Sequence, residues 1–180
     1  MKVLKFGGTS VANSESISNV ISILNSNRND NLLIVVSALG GITNLLQKCL
    51  SLKGKSTDNV INKIEERHLE VINNLSDLNG QSSLKSFLKE NLNQLEDILD
   101  AISTIDEVTK KTVSKVLTLG ELLSSKIIYE ILVQKGFDIN YVNSKDLIFT
   151  KEVNENEVLD GEKSSLSLIH ISEPTRPLYI

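Results

Sequence analysis

Two short stretches carry residue types at spacings that suit phosphate chemistry. Lys5, Gly7 and Gly8 stand together in KFGGTS near the N-terminus, and Gly40 and Gly41 stand in SALGGITN. Paired glycines open backbone dihedrals that are closed to other residues, so that successive N–H groups can converge on an anion. A helix starting just after such a loop adds the positive end of its dipole. Lys5 precedes the first loop, where an ammonium can neutralise charge on a phosphoryl group. A solvated strand-end lysine beside an ordinary tight turn would leave the same residues, since short glycine motifs are weak signals alone.

The elements that must hold these loops are legible in the flanking pattern. Val3, Leu4 and Phe6 form an apolar run that predicts a strand, and Ile17, Val20, Ile21 and Leu24 recur at i, i+3, i+4, i+7, which predicts a helix from Ser14 to about Asn25. Asn13 or Ser14 is its cap. The polar run Asn25 to Asn31 turns the chain, and Leu32 to Val36, LLIVV, reads as an interior strand covered on both faces. Strand, loop, helix and strand make a βαβ unit with an expected right-handed crossover. In an open parallel α/β sheet ligands gather beyond the carboxyl ends of the strands, so both glycine loops should face one crevice.

Residues 44–135 read as mostly helical. Val60, Ile61, Ile64, Val71, Ile72 and Leu75 keep one stripe, with His68 on it as a packed, hydrogen-bonded residue rather than a ligand. A turn over Ser76 to Gln81 leads to a second stripe of Leu84, Leu88, Leu95, Leu99 and Ile102. Thr104 and Glu107 have capping-box spacing, which starts the next helix near Ile105. That helix should stop at Gly136, while Gly120, inside it, predicts a bend or a close backbone approach. Phe137 to Val142 reads as a third strand.

Composition excludes several classes. The 180 residues suffice for one domain with a sizeable core, and a second full domain is not expected. With 19 Lys+Arg against 23 Asp+Glu the formal net charge is −4, so no basic field points to nucleic acid or a membrane surface. The single cysteine, Cys49, rules out an internal disulfide and falls at helical spacing after Leu45 and Leu46, as a buried thiol would. No stretch approaches the roughly 18 apolar residues of a membrane span, and the first strand begins without a leader. A soluble, cytoplasmic protein handling small molecules is the expectation.

The whole string KFGGTSVAN resembles the opening of the aspartokinases, and two further segments follow in family order. SALGGITN resembles the loop that carries a serine and a threonine of the aspartate site, and LTLGELLSSKI resembles the segment whose glutamate after glycine holds substrate. NSKDLIFT, Asn143 to Thr150, resembles the segment that follows the third strand. The resemblance covers roughly residues 1–160. It implies the N-terminal, amino-acid-binding part of an aspartokinase: a three-layer α/β/α sandwich of the amino-acid-kinase type, truncated, with a mostly parallel sheet and a large helical insertion.

The family reaction moves the γ-phosphoryl of ATP, with Mg²⁺, onto the β-carboxylate of L-aspartate. Carried over by position, Lys5 stabilises the transferred phosphoryl, N–H groups at Gly7 and Gly8 hold phosphate oxygens with Thr9 and Ser10 lining the same place, and Ser37, Thr43 and Glu121 hold aspartate. Helix capping or turn hydrogen bonding would equally account for Ser37 and Thr43. No protein-held metal is implied, and the intact enzyme is expected to be a homo-oligomer. Its bifunctional members, fused to homoserine dehydrogenase, begin with a string much like MKVLKFGGTSVAN. A related kinase of glutamate, carbamate or a nucleotide should lack the full KFGGTS string. A non-catalytic helical module would leave the two glycine loops unexplained. Residues 161–180, with His170, Pro174 and Pro177, show no continuation of the kinase pattern and read as foreign sequence.

Overall fold

In the computed structural model residues 2–153, 156–165 and 178–179 are described. β1 (Lys2–Phe6) and β2 (Leu32–Val36) are parallel neighbours, in register from Lys2 opposite Leu32 to Phe6 opposite Val36, and α1 (Ser14–Ser26) joins them. α1 starts where it does because Asn13 Oδ1 accepts from Ser16 N–H at 2.9 Å, satisfying a donor the first turn would otherwise leave unpaired. Its Ile17, Val20, Ile21 and Leu24 form the buried stripe.

The sheet runs in the order β1-β2-β6-β3, with β3 at Ile139–Asn140 and β6 at Leu178–Tyr179, and its pairings are parallel. β6 thus comes from the tail that the sequence set apart, whereas His170, Pro174 and Pro177 lie outside the described residues. The third strand is shorter than Phe137 to Val142 because only Ile139 and Asn140 find ladder partners, in a two-residue neighbour. A separate antiparallel hairpin pairs β4 (Thr150–Val153) with β5 (Asn156–Leu159).

The expectation of a β2 covered on both faces is corrected. Leu32 and Ile34 are buried beneath the helices with Phe6, but Val3 is 60% and Val35 42% exposed. The described residues therefore supply one helical layer, and the opposite face, which carries Lys5 paired with Val35, is open.

The rest of that layer is α2 (Ile42–Ser51), α3 (Asp58–Leu75), α4 (Leu78–Ile105) and α5 (Lys110–Gln134). The predicted stripes bury, with Ile64 and Ile72 on α3 and Leu84, Leu88, Leu95 and Leu99 on α4, and Val116, Ile127 and Ile131 of α5 are buried with them. Cys49 is fully buried with them, and burial raises its thiol pKa. His68 is also fully buried, its Nδ1 2.7 Å from Ile64 O. Its Nε2 has no hydrogen-bond partner among the described residues. An imidazole hydrogen-bonded to a carbonyl in this way donates from Nδ1, and desolvation lowers its pKa to about 4.

Two helix boundaries differ from the sequence reading. The turn before α4 is only Ser76 and Asp77, because Asp77 Oδ1 accepts from Gly80 N–H at 2.7 Å and starts the helix at Leu78. Thr104 caps nothing, since its Oγ1 donates to Asp100 O at 2.9 Å inside α4. Packing of Leu99 and Ile102 carries α4 on to Ile105, and Asp106 ends it at φ 58°, a left-handed conformation that Asp tolerates. The next helix instead begins at Lys110, where Thr109 Oγ1 accepts from Thr112 N–H at 3.1 Å. Gly136, at φ 76°, follows the end of α5 as expected.

Candidate active site

The carboxyl ends of β1 and β2 deliver the two glycine loops to the same place. The ladder continues one bond past β2, with Ser37 N–H donating to Phe6 O at 3.0 Å. Gly7 to Ser10 then forms a turn closed by Ser10 N–H to Gly7 O at 2.9 Å. A Cβ on Gly40 would lie 2.8 Å from Ala12 Cβ and 3.1 Å from Gly8 O, so the loops touch and only glycine fits at position 40. A Cβ on Gly8 would lie 3.5 Å from Ala38 O and 4.0 Å from Ser37 Oγ, an ordinary contact.

The unusual dihedrals expected of Gly7 and Gly8 are corrected. Neither has a positive φ; among glycines that conformation falls on Gly41, Gly54 and Gly136. No heavy atom would lie within 4 Å of a Cβ on Gly7. What glycine provides at position 7 is open space above the backbone, and what Gly41 provides, at φ 79°, is the left-handed turn into α2.

Of the two helices that follow the glycine loops, α2 rather than α1 offers a free N-terminus among the described residues. At α1 the carboxylate of Glu70, from α3, accepts from Ser14 N–H at 3.2 Å and from Ser14 Oγ–H at 2.5 Å, so an internal anion already occupies that end. α2, in contrast, starts from Gly41 with no side-chain cap. Its first-turn N–H groups at Thr43 and Asn44 make no hydrogen bond among the described residues. Thr43 is therefore not a capping residue, although it sits half-buried in that first turn.

α5 closes the arrangement from the helical layer. A Cβ on Gly120 would meet Ala38 Cβ at 2.9 Å, Ile42 Cγ2 at 3.3 Å and Leu46 Cδ1 at 3.4 Å, so the predicted close approach is real and it is made to the second glycine loop. One turn on, the fully buried Ser124 donates from Oγ to Ser37 O at 2.7 Å. Sequence reasoning missed Ser124, for which the only signal was a polar residue on the apolar stripe of α5. Glu121 lies between these two contacts. Its carboxylate is exposed, and Lys126, a candidate partner on the same helix, pairs instead with Glu130 at 2.7 Å.

The site residues named from sequence thus divide by position. Gly7, Gly8, Ser37 and Thr43 lie on the touching loops, and Glu121 is attached to them through its neighbours Gly120 and Ser124. Lys5, Thr9 and Ser10 are exposed around the first loop, Lys5 on the open face of the sheet. The side chains of Lys5, Ser37, Thr43 and Glu121 make no hydrogen bond or ion pair among the described residues. Two grooves, of about 70 and 410 Å³, lie elsewhere, lined by α4 and α5.

The chain belongs to the amino acid kinase family, whose model matches residues 1–169. That match runs past Asp160 into the tail. Among curated relatives the chain is 32% identical over 151 residues to the bifunctional aspartokinase/homoserine dehydrogenase of Buchnera aphidicola, covering 79% of this chain and 18% of that protein. It is 31% identical over 150 residues to the aspartokinase of Chlamydia pneumoniae, covering 83% of this chain and 31% of that one. The chain therefore spans about a fifth to a third of the length of these relatives. The crystal structure of E. coli aspartokinase III in complex with aspartate and ADP shares the fold, with a TM-score of 0.81 at 22% identity over 98% of this chain and 39% of that one.

Proposed function

We propose that this chain is the amino-acid-binding part of an aspartate kinase, which transfers the γ-phosphoryl of ATP to the β-carboxylate of L-aspartate to give 4-phospho-L-aspartate, the opening step toward lysine, threonine and methionine. The observation that carries the reading is the meeting of two glycine loops and the Gly120–Glu121 segment, with the side chains of Lys5, Ser37, Thr43 and Glu121 making no hydrogen bond or ion pair among the described residues. Two of the relatives are an aspartokinase and an aspartokinase fused to homoserine dehydrogenase, which agrees with it. In this reading the intact enzyme is a cytoplasmic homo-oligomer. Among the described residues no helix is long and apolar enough to cross a membrane.

Phosphoryl transfer depends mainly on alignment and charge stabilisation, so the roles are positional. Lys5 neutralises charge that develops on the phosphoryl oxygens, and the open backbone at Gly7 and Gly8 receives the phosphates beside Thr9 and Ser10. The uncapped N-terminus of α2, with Thr43 in its first turn, favours a substrate carboxylate, as does the Ser37 hydroxyl. Glu121 supplies the one anion, for the α-ammonium. Mg²⁺ enters this reading as the ion carried on the ATP phosphates. The nucleotide-binding remainder would come from beyond these residues, and the chain by itself should not turn over.

Glu121→Gln tests the assignment in the chain extended to the length of its relatives. The substitution keeps size and removes charge from an exposed side chain, so KM for aspartate should rise about tenfold or more, the effect of losing a charge-assisted hydrogen bond of about 1.5–3 kcal/mol. KM for ATP should stay within about threefold and Tm should not move. Equal rises for both substrates would instead mean general damage to the crevice.

A further inference from the structure

A further helix, α3, reaches both the second glycine loop and the start of α1 that follows the first, and neither the sheet nor the functional reading requires it to. Arg67 and Glu70 stand three residues apart on α3, hence on one face of that helix. Arg67 Nη1 donates to Gly40 O, and its guanidinium lies against Gly41, where a Cβ would sit 2.9 Å from Nη1. Glu70 takes both Ser14 donors at the start of α1, and Asn74 Nδ2, a turn further on, donates to Glu70 Oε1 at 3.0 Å, which fixes the carboxylate. α3 therefore grips the backbone just after the first loop with one side chain and the backbone within the second loop with another.

We propose that Arg67 and Glu70 are positioning residues that set the spacing of the two glycine loops, so that the phosphoryl donor held by the first lines up with the acceptor carboxylate held by the second. The inference rests on the proposed kinase reading for its consequence, but not for its structural content. Both side chains act through backbone rather than touching substrate. Arg67 is exposed and Glu70 only half-buried, so their contribution to global stability is small, as for other polar contacts near solvent. Their effect should fall on geometry: a displacement of about 1 Å between reacting groups costs on the order of a hundredfold in rate.

The test compares Arg67→Ala, Arg67→Lys and Glu70→Gln with the parent by amide hydrogen exchange on this chain and by steady-state kinetics in the chain extended to the length of its relatives. Arg67→Ala should speed exchange at Ile42 and Leu45, whose N–H groups donate to Leu39 O and Gly41 O, and Glu70→Gln should speed it at Ser14, with the core of α4 unchanged. In turnover, kcat should drop about tenfold or more in Arg67→Ala, with KM for both substrates within about threefold and Tm within about 2 °C. Arg67→Lys, which keeps a donor for Gly40 O, should recover much of the loss. Unchanged exchange in the loops, or a kcat loss that the lysine does not relieve and that tracks Tm, overturns the proposal. If the parent enzyme phosphorylates something other than aspartate, the functional reading fails while the exchange result still decides the role of α3.

Discussion

Gly120→Ala sets two effects of known size against each other. Replacing a glycine inside a helix with alanine stabilises it by about 1 kcal/mol. The new methyl would lie 2.9 Å from Ala38 Cβ, 3.3 Å from Ile42 Cγ2 and 3.4 Å from Leu46 Cδ1. Ordinary carbon contacts are about 3.5–4.0 Å, so the loop at Ala38 must retreat by roughly 0.6 Å or more. Ala38 has no flexible side chain to absorb this, and overpacking of that kind costs about 1–3 kcal/mol. The net change in stability should therefore be a loss of roughly 0–2 kcal/mol, which urea denaturation of this chain would measure. The displacement falls on the loop that carries Ser37 and Thr43 and on the Ser124 bond to Ser37 O. Turnover in the extended enzyme should then fall about tenfold, out of proportion to stability. A gain of the full 1 kcal/mol with undiminished turnover would show that α5 does not press on the loop, and would remove the reason given for glycine there.

Lys5→Ala in the extended enzyme should lower kcat on the order of a hundredfold with a small change in either KM, because the ammonium matters most as charge develops on the phosphoryl group; a kcat within threefold of the parent would make Lys5 an ordinary strand-end charge. His68 gives a pH dependence: burial lowers its pKa from 6.5 to about 4, so the folded state binds fewer protons than the unfolded one below pH 6.5. Its stabilising contribution is complete above pH 6.5 and is lost at up to about 1.4 kcal/mol per pH unit as the pH falls toward 4. Denaturation of His68→Gln beside the parent should show that part of the acid sensitivity vanish; parallel curves for the two proteins would refute it.

Much of the fold was legible because periodicity reports burial directly. β2 appeared at its observed ends and α1 within one residue of its own, since a cap at Asn13 or Ser14, a 3.6-residue stripe and a continuous LLIVV run each encode a local cause. What periodicity could not carry was the state of each face: LLIVV looks the same whether one or both sides of the sheet are covered, and Val35 proves exposed. Local motifs misled where tertiary packing outweighed them, as at Thr104, whose capping-box spacing lost to the leucine stripe that extends α4. In the site, residue types located both loops and Gly120, but not why they are there. Neither Gly7 nor Gly8 has a positive φ, and contacts that fix the second loop and the start of α1 come from Ser124, Arg67 and Glu70, far away in sequence and without a motif.

The measurement closest to the central claim is acyl-phosphate formation, trapped with hydroxylamine, by the chain extended to the length of its relatives. With ATP and Mg²⁺ the claim requires hydroxamate that depends on L-aspartate, is absent with L-glutamate, and drops on the order of a hundredfold in Lys5→Ala. Hydroxamate formed equally well from glutamate, or aspartate-dependent product at parental rate in Lys5→Ala, would contradict it.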